Sequence, residues 1–292
     1  MLPSFFTVGL WAFCVVAATR AARLVGGPAA NLSRLSLAFV LLAIWAFTFG
    51  DGLRGESLRW FVLSGCVGFG LGDVAAFEAM PRVGPRLTSL AVTCLSPPMA
   101  AVIERAWLGT KLTAPQMLWG AVILAGVAVA LAPKEHLHLT RRQLTVGAVA
   151  GVLAAFGQGF GAVLSRKAYQ LAGHSIDPGT ATFQRAIGGI VIVAAFLAFT
   201  TYRQREAPPR RDWRAGWKWI VAHALTGPIL GVACFQWALS VAPSGIVLPI
   251  VATTPLGVIP FAYLIEGDRP SRRSLVGGAI AVAGAVALAL VK

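Results

Sequence analysis

Charge is what this 292-residue chain has least of. Asp, Glu, Lys and Arg together make up 12% of it, about half the usual share of a soluble domain. That leaves too little polar surface to wrap a globule in water. The four cysteines (Cys14, Cys66, Cys94 and Cys234) are far apart and form no CxxC pair. A disulfide framework or a thiolate metal site is excluded by that spacing, and the cysteines read as small core residues. His136, His138, His174 and His223 are scattered, with no HExxH. No Ser/His set or pair of acids shares a helix face, so the constellations of intramembrane hydrolases are absent. There is no phosphate-cradling Walker loop, and no cofactor or metal is expected. No basic residue precedes Arg20, so the apolar stretch 5–19 lacks the n-region of a signal peptide and reads as a membrane span.

What the chain has is apolar length. Charged residues cluster, and the stretches between them exceed the roughly 20 residues that cross a bilayer. Apolar runs between charged or Pro/Gly-rich breaks predict ten helices over 4–24, 31–50, 58–80, 84–107, 114–132, 143–165, 180–201, 214–240, 243–265 and 273–291. Glycines and acids interrupt the third, and Gly227-Pro228 the eighth. Gly147/Gly151, Gly157/Gly161 and Gly227/Gly231 are GxxxG pairs, which bring helix backbones close in lipid. The reading is an all-α membrane protein of ten transmembrane helices.

The net charge of +14 comes without aromatic-basic interleaving or a recognition helix, so no nucleic acid partner is expected. The basic residues sit in loops, facing lipid headgroups. Loops after spans 1, 3, 5, 7 and 9 hold 17 of the 25 Lys and Arg. By the positive-inside rule those loops face the cytoplasm, which puts both termini outside.

The sequence also repeats itself. Phe77, Ala79-Met80, Pro85, Ser96-Pro97, Gly109, Gly120 and Gly126 return, at a constant shift of 158, as Phe235, Trp237-Ala238, Pro243, Thr254-Pro255, Gly267, Gly278 and Gly284. Arg34 and Arg185 each open a second helix of their half. Residues 1–133 and 142–292 are thus two five-span units, and an odd span count inserts the second in the opposite sense. Inverted repeats of this kind are how many secondary transporters build two gates around one site.

The repeated residues carry a family resemblance. Phe77-Glu78-Ala79-Met80, Val83-Gly84-Pro85, Ser96-Pro97, Leu108-Gly109-Thr110-Lys111-Leu112-Thr113 and Gly120 to Gly126 resemble the EamA-type pattern of the drug/metabolite transporter superfamily. The second copy matches at Phe235-Gln236-Trp237-Ala238-Leu239, Pro255, Glu266-Gly267-Asp268-Arg269 and Gly278. Thr110 stands where the pattern usually has an acid, and Pro270 where it has Leu. The resemblance implies a ten-helix inverted-repeat bundle that exports small organic metabolites, plausibly amino acids, across the bacterial inner membrane. Drug efflux is the alternative, and a passive uniporter or channel a weaker one. It also implies cytoplasmic termini, against the charge count; the partners expected are a small-molecule substrate and the lipid bilayer, with a monomer as the working oligomeric state.

Candidate substrate-binding residues follow from polarity at depth. Prolines in membrane helices free a carbonyl, and matched breaks in the two halves point to a central cavity. Ser96-Pro97 and Thr254-Pro255 stand at matching positions, with Thr93 beside the first. Acids in a span are costly. Asp73 is therefore either a protonatable group or counter-charge facing a cavity with Phe77, or an acid satisfied by a neighbouring helix. Glu78 lies roughly 140° round the helix from it. Gln158, Gln184 and Gln236 are amides that bond either polarity, and Trp237 or Trp11 offers a ring for stacking. Arg34 and Arg185 read as surface anchors or helix-end partners in preference to substrate capture, and Glu104 with Arg105 as a loop pair.

Overall fold

A computed structural model describes residues 1–132, 140–173, 175–203, 212–266 and 271–291. Among the described residues there are twelve α-helices and no strand: α1 (Leu2–Val25), α2 (Gly27–Thr48), α3 (Leu58–Gly65), α4 (Asp73–Leu108), α5 (Ala114–Leu131), α6 (Arg141–Leu171), α7 (Pro178–Arg203), α8 (Trp213–Ala224), α9 (Leu230–Val241), α10 (Ser244–Val251), α11 (Thr254–Glu266) and α12 (Arg272–Leu290). By length and apolarity they make ten candidate membrane spans, from Leu2–Val25 to Arg272–Leu290, as the charge spacing predicts. Ten crossings bring the two ends of the chain to one face, here the terminal face; the opposite one is the far face.

The third and eighth spans, whose glycines and proline break the apolar pattern, remain continuous by widening. α3 passes into α4 through a π-helical segment at Cys66–Gly72, and α8 into α9 through one at Leu225–Ile229. The two segments overlap under the repeat shift. π-Turns insert extra backbone into a helix and recur at functional sites.

Turns between spans 3 and 4 and between spans 8 and 9 are almost absent. At Gly84, inside α4, the backbone takes φ 83°, ψ 157° for one residue and then resumes as helix. Only glycine adopts that conformation without strain. The repeat equivalent, Ala242, makes its turn at φ −143°, ψ 150°, ordinary extended backbone, and needs no glycine. Span 9 breaks again at Ala252-Thr253, between α10 and α11. Span 4 does not break at Pro97-Pro98, which lie within α4. The matched break at the two prolines is therefore corrected to a break in span 9 alone.

The halves interlock. The main helix pairings join opposite halves, α4 on α6, α5 on α12, and α1 on α8, α9 and α11, so neither half buries its own faces. The Gly157/Gly161 face of α6 docks against the first π-segment: a Cβ on Gly157 would lie 2.7 Å from the Gly72 Cα, and one on Gly161 3.1 Å from the Gly68 Cα. This close approach fixes the turn from which Asp73 emerges.

Candidate substrate cavity

The helices enclose a central cavity of two abutting lobes. The first, about 330 Å³, is lined on α1, α2, α7, the end of the third span and the π-turn of the eighth. The second, about 420 Å³, lies between α4, α6 and the broken span 9. Trp11, Val15, Gln158 and Thr254 line both. The lining reaches Asn31 near the start of α2, Val193 near the end of span 7, and Pro85 beside the Gly84 turn, all towards the far face.

Three charges line the first lobe: Arg34, Arg185 and Asp73. Arg185 is 3% exposed. Its guanidinium lies 4.5 Å from the Phe69 ring centre and 5.7 Å from that of Phe235, a stacking that orients the cation. Gly68 makes room for it, since a Cβ there would stand 2.6 Å from an Nη nitrogen of Arg185. Yet Arg185 Nε and Nη1 have no hydrogen-bond acceptor among the described residues. A buried cation with idle donors is costly and calls for an anion. Arg34 is partly engaged, its Nε donating to Asn31 Oδ1 at 2.9 Å. The surface-anchor reading of both arginines is thus corrected: they line the cavity.

Asp73 faces the same lobe just beyond the π-segment. Its repeat equivalent is Gly231, where a Cβ would overlap the Trp11 indole. The Trp11 ring, 5.4 Å from that of Phe235, fills the space that an acid would take in the second half. The acid in one half and the tryptophan beside the other are thus two sides of a single cavity wall.

The other candidates separate. Gln158 and Thr254 sit where the lobes meet, and Thr93, Ser96 and Pro255 line the second. Pro97 is buried and lines neither lobe. Gln184 is buried near the terminal face, donating to Gly52 O at 2.9 Å. Gln236 is wholly buried, and Trp237 is 46% exposed on the outside of its helix. The side chain of Phe77 lies outside the described residues.

Glu104 is also displaced from its expected place. It is buried and bonds not to Arg105 but across the halves, to Arg166 at 3.3 Å. Its other oxygen accepts from the Ser244 backbone N–H at 2.7 Å and from the Ser244 hydroxyl. Arg166 Nη1 donates onward to Leu239 O at 2.6 Å. This cluster ties the ends of spans 4, 6 and 8 to the start of span 9 on the terminal face. Successive residues on a helix do not face each other, a signal in the sequence against the Glu104–Arg105 pair. The terminal face is further closed by Phe61 on Tyr169, with ring centres 5.0 Å apart, and by Ser64, which donates to Gly161 O at 2.6 Å. At its rim Asp177 Oδ1 accepts from Trp45 Nε1 and from the Thr180 N–H, each at 2.9 Å. Burial raises the Asp177 pKa, but hydrogen bonds from the side chains of Thr180 and Trp45 and from the Thr180 and Gly179 backbone outweigh it and hold it below the usual value.

A bundle of ten spans closed at one face, with a charged cavity reaching towards the other, is the geometry of a carrier. The model of the EamA-like transporter family matches residues 2–132 and 145–290. The chain belongs to that family. It is therefore a multi-pass membrane transporter. Among curated proteins, a probable terminal-alkyne amino-acid exporter of Streptantibioticus cattleyicolor is 26% identical over 260 residues, covering 87% of this chain and 81% of its own. A crystal structure of another protein aligns with a TM-score of 0.72 over 99% of this chain and 95% of its own, at 19% identity. That second likeness concerns the fold, and both span nearly the whole of this EamA chain.

Proposed function

We propose that this transporter carries α-amino acids outward across the bacterial inner membrane, as a secondary carrier working by alternating access between its two halves, 1–133 and 142–292. The observation that carries this reading is the charge set of the first lobe. Arg185, buried with idle donors, and Arg34 suit a carboxylate; Asp73 suits an ammonium. Arginine presents a planar fork that matches a carboxylate bidentately. Two cations against one acid disfavour an organic cation, which speaks against efflux of cationic drugs. The exporter described for the relative supports the outward direction.

The test is counterflow with the purified chain in liposomes. Liposomes preloaded with unlabelled amino acid should accelerate saturable entry of the labelled one. Equal entry into loaded and empty liposomes would contradict a carrier.

A further inference from the structure

The second lobe holds five hydroxyl and amide side chains in sequence terms, yet it is far less polar than that suggests. Thr93 Oγ1 donates to Ser89 O at 2.7 Å, Ser96 Oγ to Val92 O at 2.6 Å, and Thr254 Oγ1 to Val251 O at 2.7 Å. Thr93 and Ser96 spend their one proton on their own helix, a habit of Ser and Thr inside helices, and Thr254 spends its own across the break from α11 to α10. Of the five, the Ser89 hydroxyl and the Gln158 amide keep a hydrogen for a ligand. Apart from these polar groups and Trp11 the wall is aliphatic, including Val92, Leu248, Val251, Val258 and the rings of Pro85 and Pro255, with no charged residue. The first lobe, by contrast, has three charges. Gln158 and Thr254 line both lobes at their junction.

We infer that the second lobe receives the side chain of the transported amino acid, and that this transporter selects branched or aromatic apolar side chains. The inference rests on the amino-acid reading above. The headgroup lies among Arg34, Arg185 and Asp73, and the Cα–Cβ bond passes the Trp11–Gln158–Thr254 junction. An apolar side chain in the second lobe gains contact, while a polar one gives up water and meets three hydroxyls whose protons are already engaged. Both lobes lie at the small end of the usual range for ligand pockets, roughly 300–1,000 Å³, so each fits one part of a small molecule.

The experiment is competition against labelled L-leucine counterflow into proteoliposomes of the full chain. L-Phenylalanine and unlabelled L-leucine should compete at concentrations about tenfold or more below L-alanine, since a few methylenes in an apolar pocket are worth that much. L-Glutamine, as long as leucine but polar, should compete no better than alanine. Glutamine equal to leucine, or alanine equal to leucine, overturns the inference. Isopentylamine and 4-methylpentanoate separate it from the reading beneath it. If they compete as well as leucine and alanine stays weak, the lobe stands and the amino-acid headgroup reading fails. Val92→Phe, which fills the lobe, should cut the leucine-to-alanine preference below about threefold, whereas Val282→Phe on the lipid face should leave it. An unchanged preference in Val92→Phe overturns the inference. If that variant does not fold, the wild-type panel decides alone.

Discussion

The two halves of this transporter share a frame and differ in their chemistry. Shared are the π-segments at Cys66–Gly72 and Leu225–Ile229, the one-residue turns at Gly84 and Ala242, and Arg34 with Arg185. Unshared are Asp73, opposite Gly231, and Glu104, opposite Ala262. Each unshared acid does one job. Asp73 faces the cavity, and Glu104 clasps Arg166 and Ser244 on the terminal face. The repeat thus supplies helices that bend and cross alike, and the departures from it decide which face is closed and what charge the cavity shows. Opening the terminal face requires breaking the Glu104 cluster, which joins spans 4, 6, 8 and 9. On the far face, Arg20 of span 1 donates to Ile265 O of span 9 at 2.8 Å.

The largest effect should come from breaking the unshared clasp. Glu104→Gln leaves Arg166 buried beside a neutral partner, a loss of about 3–5 kcal/mol for a buried pair. Thermal unfolding in detergent should show a lower midpoint, and Ala262→Ser, at the equivalent place in the other half, should move it little. A Glu104→Gln midpoint equal to wild type would mean that the cluster does not hold this face shut.

Next come the shared arginines, equivalent in sequence but not in surroundings. Arg185→Gln should weaken amino-acid affinity about a hundredfold, the loss of two charge-assisted bonds to a carboxylate. Arg34→Gln should cost about tenfold, because Asn31 already holds its Nε. Equal losses in isothermal binding would restore the symmetry that the structure breaks.

The turns offer a smaller contrast. Gly84→Ala forces a side chain into a glycine-only conformation and should cost about 1–3 kcal/mol. No neighbour crowds that position, so the cost is one of backbone. Ala242→Gly should cost less than about 1 kcal/mol. Denaturant or thermal unfolding of the two variants measures the difference.

The smallest effect belongs to Asp177. A carboxyl held below its usual pKa adds stability that is present above the ordinary aspartate range, near pH 4. That stability is lost as the pH falls through its lower folded value. Wild type should therefore lose a little more stability than Asp177→Asn when acidified from pH 5 to about pH 3. Parallel curves would mean that the Trp45 and Thr180 bonds add nothing.

The span count and the disturbance of spans 3 and 8 were legible in the sequence because apolar length and glycine content act locally. The site was only half legible. Asp73, Gln158 and Thr254 stood out as polar groups at depth, and the cavity gathers them. Arg34 and Arg185 looked superficial because each begins a helix, while the cavity reaches towards the far face and takes in Arg34 on α2, and the Gly68 gap admits the Arg185 guanidinium. Their equivalence between the halves was the available signal. Thr93 and Ser96 looked like donors, but a helix interior gives a hydroxyl its own carbonyl four residues back. The partner of Glu104 lies 62 positions away on α6, a pairing that only the crossing of the two halves creates.

One measurement bears most directly on the central claim that an amino acid's carboxylate is held by Arg185 and Arg34. Labelled L-leucine counterflow in proteoliposomes should be competed by L-leucine at least tenfold better than by L-leucine methyl ester, which keeps the ammonium and side chain but lacks the anion. In Arg185→Gln that gap should close. An ester that competes as well as the free acid in wild type would contradict the account.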